Sequence, residues 1–148
     1  MGAQKMAGRI YYEDVEVGAE VPTLVKNPST RQLVRWAGGS GDYYEIHYDQ
    51  DFARSTGLPD VIVHGKLKTA FLTQMITDWI GEQGTVRKLS VRFREMDYPR
   101  QQMTCRGKVT AKYQQDGECW VECDVWSDNP NGQQTTTGSF AVTLPSRG

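Results

Sequence analysis

The clearest pattern along the chain is a run of apolar residues at helical spacing between positions 66 and 80. Two adjacent lines at i+4 spacing carry it, one through Leu67, Phe71, Met75 and Trp79 and the other through Leu72, Ile76 and Ile80. Two neighbouring apolar lines give a helix a wide face to bury, and Gly81 and Gly84 can end it. The pattern predicts a long central helix over Lys66 to Ile80 that a sheet could surround.

The residues after this helix change to the two-residue period of β-strands. Apolar and polar positions alternate at Leu89, Val91 and Phe93, from Met103 to Tyr113, from Cys119 to Val125 and from Thr135 to Leu144. Asp116-Gly117 is a strong signal for a tight hairpin, and Asn129-Pro-Asn-Gly132 marks the next turn. The order predicts about four antiparallel strands after the helix.

Shorter elements are predicted before the long helix. Two short strands are expected, at Ile10-Tyr11-Tyr12 and from Val21 to Val25, with Pro22 keeping the second at a sheet edge. Residues before Arg9 and from Pro145 onward read as loose ends.

Two small helices complete the pattern. Ser29-Thr-Arg-Gln32 matches a capping box and opens a helix that Gly38-Gly39 should end. The second helix is predicted from Gln50 to Ser55, stopped by Gly57 and Pro59. Together, these elements predict an α+β fold. We expect one domain over residues 1–148, with an ordered core at about 9–144 and one antiparallel sheet around the central helix.

Charge and composition narrow the classes of partner. The chain has 148 residues and a formal net charge of −1, from 17 basic and 18 acidic side chains, so it offers no electrostatic footprint for nucleic acid or an anionic membrane. No apolar run approaches the roughly 20 residues that span a bilayer, and the first residues lack the apolar core of a signal peptide. We expect a soluble, cytoplasmic protein.

Cysteine and histidine usage gives no metal or disulfide pattern. Three cysteines, Cys105, Cys119 and Cys123, show no ligand or redox spacing, and an odd count fits a reducing compartment. We interpret them as small core residues. With only two histidines in the chain, no metal site is expected.

Candidate chemistry lies in the segment from Trp36 to Gly65. Asp42 and His47 follow a Gly-Gly-Ser-Gly break, close enough on one irregular loop to converge on a single water. The carboxylate would accept a proton from that water and the imidazole would return one to a substrate carbon, or the roles would reverse. The alternatives are a turn or helix-cap role for Asp42 and an ordinary, partly buried role for His47.

Gly65 precedes the long helix, whose first amides have no partner within the helix and whose dipole favours negative charge. Its amide could therefore bind a thioester oxygen that becomes enolate-like, although a tight loop-to-helix turn would also favour glycine. We interpret His64 as a structural or supporting residue. Tyr43, Tyr44 and Tyr48 either line an acyl pocket or pack at core edges with their hydroxyls in water.

Residues from about Ile10 to Leu144 resemble the MaoC-like dehydratase family of (R)-specific enoyl-CoA hydratases. The resemblance rests on Ser40-Gly41-Asp42-Tyr-Tyr-Glu-Ile46-His47, with Ala53 at the expected distance downstream. It rests also on Val63-His64-Gly65 directly before the long helix. Two positions depart from the family pattern: Tyr44-Glu45 stands where Asn-Pro is common, and Lys66 where Met often follows the His-Gly pair.

The resemblance implies a hot-dog fold and the addition of water to a trans-2-enoyl thioester, or the reverse dehydration of a (3R)-hydroxyacyl thioester. It implies that Asp42 and His47 hold the catalytic water and that the Gly65 amide binds the thioester oxygen. The substrate would be carried by coenzyme A or an acyl carrier, without a cofactor or metal. It further implies a homodimer or larger homo-oligomer, with a heterodimer also possible. Two alternatives remain open: a non-catalytic acyl-binding subunit and a thioesterase on the same fold.

Overall fold

In the computed structural model, which describes residues 9–148, one antiparallel sheet wraps around a long helix. The helices are α1 (Thr30–Ser40), α2 (Gln50–Ser55) and α3 (Gly65–Ile80). The strands are β1 (Glu20–Lys26), β2 (Thr85–Phe93), β3 (Met103–Gln115), β4 (Glu118–Asp128) and β5 (Gln134–Leu144). The predicted α+β arrangement is confirmed, with four strands after the long helix. The prediction of a loose end before Arg9 falls on residues 1–8, outside the described residues.

The sheet has the order β1-β3-β4-β5-β2, and every neighbouring pair is antiparallel. The β3–β4 hairpin turns at Asp116 and Gly117, whose φ angles of 53° and 76° suit the mirror-image turns that match strand twist. β1, which contains Pro22, lies at one edge as predicted, and β2 lies at the other. The two edges therefore come from the strands on either side of α3 in sequence.

The core forms where α3 lies against the concave face of the sheet. Phe71, Leu72 and Ile76 of the helix belong to one buried apolar cluster with Val121 and Phe140 of the sheet. The three cysteines are buried and unpaired, as expected for core residues. Burial raises the pKa of the Cys105 and Cys123 thiols to about 12, so both stay protonated.

The two ends of the described chain differ from the prediction. Ile10-Tyr11-Tyr12 does not form a strand: a 3₁₀ turn over Tyr12–Asp14 occupies this region, because the Asp14 carboxylate accepts the Tyr11 amide. The segment after Pro145 is not loose either. The Pro145 carbonyl accepts the Tyr12 amide, and Arg147 forms an ion pair with Asp14, so the two ends are tied together.

Helix α1 starts as predicted and ends later. The Ser29 hydroxyl accepts the Gln32 amide, which is the first half of the predicted capping box. Gly38 and Gly39 stay helical, and the helix ends at Gly41, whose φ of 80° is left-handed. Gly38-Gly39 was therefore the wrong stop signal, since the required left-handed residue is two positions further on. α2 covers Gln50–Ser55 as predicted.

Within residues 9–148, no helix is long and apolar enough to cross a membrane.

Candidate active site

The loop between α1 and α2 carries Asp42 and His47, and local hydrogen bonds define its shape. The Asp42 amide donates to the Ser40 hydroxyl at 3.2 Å, and the Asp42 carboxylate accepts the Tyr44 amide at 3.3 Å. A 3₁₀ turn over Glu45–His47 follows, and Asp49 then caps α2 by accepting the Phe52 amide. The loop is thus anchored at both ends and turns back on itself between Asp42 and His47.

His47 is buried, and one of its ring nitrogens is fixed by the backbone. Nδ1 lies 2.9 Å from the Ile62 carbonyl oxygen. A carbonyl only accepts, so Nδ1 carries the hydrogen and Nε2 keeps a free lone pair. Nε2 faces Asp42 Oδ2 at 3.8 Å, too far for a direct hydrogen bond and suited to a shared water. The predicted convergence of acid and imidazole is therefore present in the geometry.

His64 contacts both members of this pair. Its ring is fully buried and stacked on His47. Nε2 donates a long hydrogen bond of 3.4 Å to the Asp42 carbonyl. Burial, and secondly the nearby His47, lower the pKa of His64 below its usual value. A neutral His64 therefore contacts both catalytic candidates, and its supporting role stays a prediction.

Gly65 is the first residue of α3, one position before the predicted start at Lys66, and His64 occupies the N-cap position. The first turn contains no acidic side chain, so no carboxylate competes for its free amides. A Cβ at Gly65 would lie 2.8 Å from the ring of Phe93. The glycine thus leaves room for this side chain, in addition to any requirement of the turn.

The three tyrosines have different surroundings. Tyr44 contacts His47 edge-to-face, with ring centroids 6.2 Å apart, and also contacts Phe52. The Tyr48 hydroxyl donates to the Tyr43 carbonyl at 2.7 Å, which bridges the loop. All three side chains are exposed. The structure therefore brings Tyr44 to the imidazole, while Tyr48 and Tyr43 contact each other.

The structure also brings together three possible metal ligands, since the ligand atoms of Asp42, His47 and His64 lie within 4.8 Å of one another. No metal site was predicted from the sequence. Two features fit an ion poorly. His64 Nε2 is engaged by the Asp42 carbonyl, and the stacked rings of His47 and His64 hold their in-plane lone pairs in nearly parallel planes that do not meet at one point. The free pair of acceptors, His47 Nε2 and Asp42 Oδ2, fits the two hydrogens of a water.

A groove beside the loop was not predicted. It has a volume of about 550 Å³, and α1 and α3 form its walls: Gln32, Arg35, Trp36, Gly39, Ser40 and Leu67. Ser40 lies two residues before Asp42, and Leu67 two residues after Gly65. Trp36 lies within the predicted first helix, and only the fold shows that its side chain borders this groove.

Lys68 and Asp97 were not predicted as functional residues. Their side chains form a buried ion pair that ties the first turn of α3 to the segment after β2. No local signal marks them, because Lys68 fits an amphipathic helix and Asp97 lies in an irregular segment.

Comparisons with known proteins concern the family and the fold of the chain. The family model described as "MaoC like domain" matches residues 13–128. The beta subunit of 3-oxo-4,17-pregnadiene-20-carboxyl-CoA hydratase from Mycobacterium tuberculosis is 28% identical over 95 residues, which are 64% of this chain and 74% of that protein.

Two solved structures show the same fold. R-hydratase PhaJ1 from Pseudomonas aeruginosa, in its unliganded form, superposes with a TM-score of 0.86 at 23% identity and covers 94% of this chain and 88% of its own. The ChsH1-ChsH2 complex from Mycobacterium tuberculosis gives a TM-score of 0.78 at 26% identity, with coverage of 87% and 98%. The predicted hot-dog fold is confirmed.

Proposed function

The chain belongs to the MaoC-like domain family, and from this premise we propose that it is a hydro-lyase acting on acyl thioesters. It adds water to a trans-2-enoyl thioester to give a (3R)-hydroxyacyl thioester, or catalyses the reverse dehydration. The observation that carries the proposal is the 3.8 Å separation of His47 Nε2 and Asp42 Oδ2. Both atoms accept hydrogen bonds, so one water can donate to both.

The tautomer of His47 favours the imidazole as the base. Its Nδ1 hydrogen is held by the Ile62 carbonyl, so the Nε2 lone pair can take a proton from the water as the oxygen attacks C3. The π electrons of the C2–C3 double bond move toward the thioester carbonyl, and the imidazolium then returns the proton to C2. Asp42 orients the water and stabilises the transient imidazolium, and the sum is one water added.

The Gly65 amide is the proposed donor to the thioester oxygen. This oxygen gains negative charge when water attacks C3, and a free amide at a helix start stabilises such charge without reorganisation. His64 connects the donor to the base, because it precedes Gly65 in the chain and its ring stacks on His47.

The groove between α1 and α3 is the proposed place for the acyl group. Its walls include Trp36 and Leu67, which supply apolar surface, and its position next to Ser40 leads to the Asp42 loop. Tyr44, in contact with His47, would border the reacting end. His64 would form the floor of the pocket, and Tyr43 and Tyr48 its solvent side.

A second copy of the chain is the proposed partner at the β2 edge. Leu89 and Phe93 lie on the concave face of this edge strand, opposite Phe140 and Thr136 of β5, and they are 46% and 48% exposed. An uncovered edge with apolar side chains is a template for pairing. Phe93 also contacts Gly65, so a partner at this edge would lie beside the proposed site.

The test is an activity screen of the purified chain over crotonyl-CoA, longer enoyl-CoAs and enoyl-CoAs with ring-bearing acyl groups. We expect loss of the enoyl absorbance with at least one of them, and oxidation of the product only by a (3R)-specific dehydrogenase. Release of free thiol with the double bond intact would indicate a thioesterase. A (3S) product, or no reaction with any enoyl thioester, would contradict the proposal.

A heteromeric hydratase is a second candidate, because the similar mycobacterial protein is named a beta subunit. The chain would then hold the acyl thioester and depend on a different chain for turnover. Such a subunit would bind acyl-CoA when purified alone and yet leave every enoyl-CoA unchanged. Activity of the purified chain by itself would exclude it.

A further inference from the structure

A buried ion pair joins the start of α3 to the segment that follows β2. Lys68 Nζ is 2.9 Å from Asp97 Oδ2, and both side chains are only 3% exposed. The same ammonium donates a hydrogen bond to the Glu95 carbonyl at 2.9 Å. Lys68 lies three positions after Gly65 in the helix, so this contact fixes the turn that presents the Gly65 amide.

Asp97 also holds the chain on the other side of Gly65. Its backbone carbonyl accepts a hydrogen bond from the Val63 amide at 2.8 Å. One residue therefore anchors the chain at Val63 through its backbone and at Lys68 through its side chain. His64 and Gly65 lie between the two anchors.

Phe93 belongs to the same arrangement. The Lys68 ammonium is 5.7 Å from the centre of the Phe93 ring, within the range of cation–π attraction. That ring lies so close to Gly65 that an added Cβ would be 2.8 Å from it. The cation held by Asp97 thus also restrains the side chain that packs against Gly65.

Stability alone explains this pair poorly. The cost of removing two charges from water offsets much or all of their attraction, and apolar residues of similar volume often replace such pairs without loss. Apart from the Lys68 ammonium, Asp97 Oδ2 has no partner among residues 9–148, so this buried carboxylate oxygen depends on the ammonium alone. A fixed geometry is what the pair adds to the fold.

We propose that Lys68 and Asp97 are positioning residues that hold the Gly65 amide in the orientation required to bind the thioester oxygen. The proposal rests on the proposed function and extends it, and neither side chain need touch the substrate. Because a misplacement of about 1 Å can cost about 10²-fold in rate, loss of this anchor should slow the chemical step without weakening substrate binding.

The experiment compares three variants. Asp97→Asn keeps the shape and removes the charge, and the double variant Lys68→Met/Asp97→Leu replaces the pair by apolar side chains. Lys66→Met is the matched control, since Lys66 is exposed on the same helical turn. Steady-state kcat, KM and pH profile are measured with the best enoyl thioester. Hydrogen exchange is measured by NMR without substrate at the two hydrogen-bonded amides that flank Gly65, those of Val63 and Lys68.

We expect kcat to fall about 10- to 100-fold in Asp97→Asn and in the double variant. KM should stay within about threefold and the pH profile should keep its shape, because the Asp42–His47 pair is untouched. Exchange of the Val63 and Lys68 amides should accelerate, and Lys66→Met should match the wild type in both measurements. A purely structural role predicts a lower melting temperature with unchanged kcat.

Unchanged kcat and unchanged exchange of the Val63 and Lys68 amides in the folded double variant would overturn the proposal. If the double variant fails to fold, the same two measurements on Asp97→Asn decide. A wild-type protein that hydrates no enoyl thioester would defeat the proposed function, and the exchange of these two amides would still test whether the ion pair holds the chain on both sides of Gly65.

Discussion

The imidazole rings of His47 and His64 are stacked, with centroids 3.8 Å apart and planes inclined by 17°. Two imidazolium rings in this arrangement would repel each other strongly. Burial, together with His47, lowers the pKa of His64, so His64 stays neutral when His47 accepts a proton. The stack therefore supplies a flat, uncharged support that leaves the proton chemistry to His47 alone.

The first prediction concerns the two groups that would hold the water. Asp42→Asn and His47→Ala should each lower kcat/KM for an enoyl thioester about 10²- to 10⁴-fold, the usual contribution of a positioned acid or base. Asp51→Asn is the control, because Asp51 is an exposed carboxylate on the neighbouring α2. If both site variants hydrate crotonyl-CoA at the wild-type rate, the assignment of the site is wrong.

The second prediction concerns the space around Gly65. In Gly65→Ala the new methyl group would meet the Phe93 ring at 2.8 Å, so either the ring or the helix start has to move. We expect kcat to fall at least about tenfold through displacement of the amide. The double variant Gly65→Ala/Phe93→Ala removes the obstacle and should recover most of the loss relative to Phe93→Ala alone. An unchanged rate in Gly65→Ala would contradict this prediction and show that the Phe93 ring moves and leaves the amide in place.

Much of the fold follows from local pattern, because a helix and a strand each repeat their apolar positions with a fixed period. The two apolar lines of α3 and the alternating apolar and polar positions of β3, β4 and β5 identify these elements directly from the sequence. Short segments are harder to predict from the sequence pattern. Ile10 to Tyr12 reads as a strand, yet Asp14 caps a 3₁₀ turn there, and the end of α1 depends on which of several glycines takes a left-handed conformation.

The candidate site likewise has one part that local sequence predicts and another that it does not. Asp42 and His47 are close in sequence, and the motif places them on one loop, so their convergence was predictable. Three other features join parts of the chain that are distant in sequence: the groove beside Trp36, the Lys68–Asp97 ion pair and the packing of the Phe93 ring against Gly65. Such contacts depend on how α3 is placed within the sheet, which no periodicity encodes.

The third prediction is a pH dependence of stability caused by His64. Its folded pKa is lowered from the usual 6.5 by burial and by His47, so below pH 6.5 the unfolded chain binds a proton that the folded chain does not. Stability should therefore fall as the pH drops below 6.5, by at most about 1.4 kcal/mol per pH unit, and level off below the folded pKa.

Urea unfolding at several pH values between about 7.5 and 5 measures this effect. The comparison is His64→Phe, which keeps an aromatic ring against His47 and cannot titrate. In this variant, the free energy of unfolding should lack the part of the pH dependence that begins near pH 6.5. Asp42 and His47 are unchanged in it, so the difference between the two proteins reports on His64. Parallel curves for the two proteins would mean that His64 is protonated as easily in the folded protein as in the unfolded chain.

The last prediction concerns the β2 edge. If a second copy covers Leu89 and Phe93, then Leu89→Lys places a charge in that interface and should convert dimers to monomers, as lysine does on edge strands that avoid pairing. Ser90→Lys is the matched control, since Ser90 is the next residue and faces the opposite side of the sheet, beside Ser139. Light scattering after size-exclusion chromatography should give a dimer for the wild type and for Ser90→Lys, and a monomer for Leu89→Lys. Because Phe93 contacts Gly65, the monomeric variant should also lose activity. A monomeric wild type with full activity would show that the site is complete without a partner.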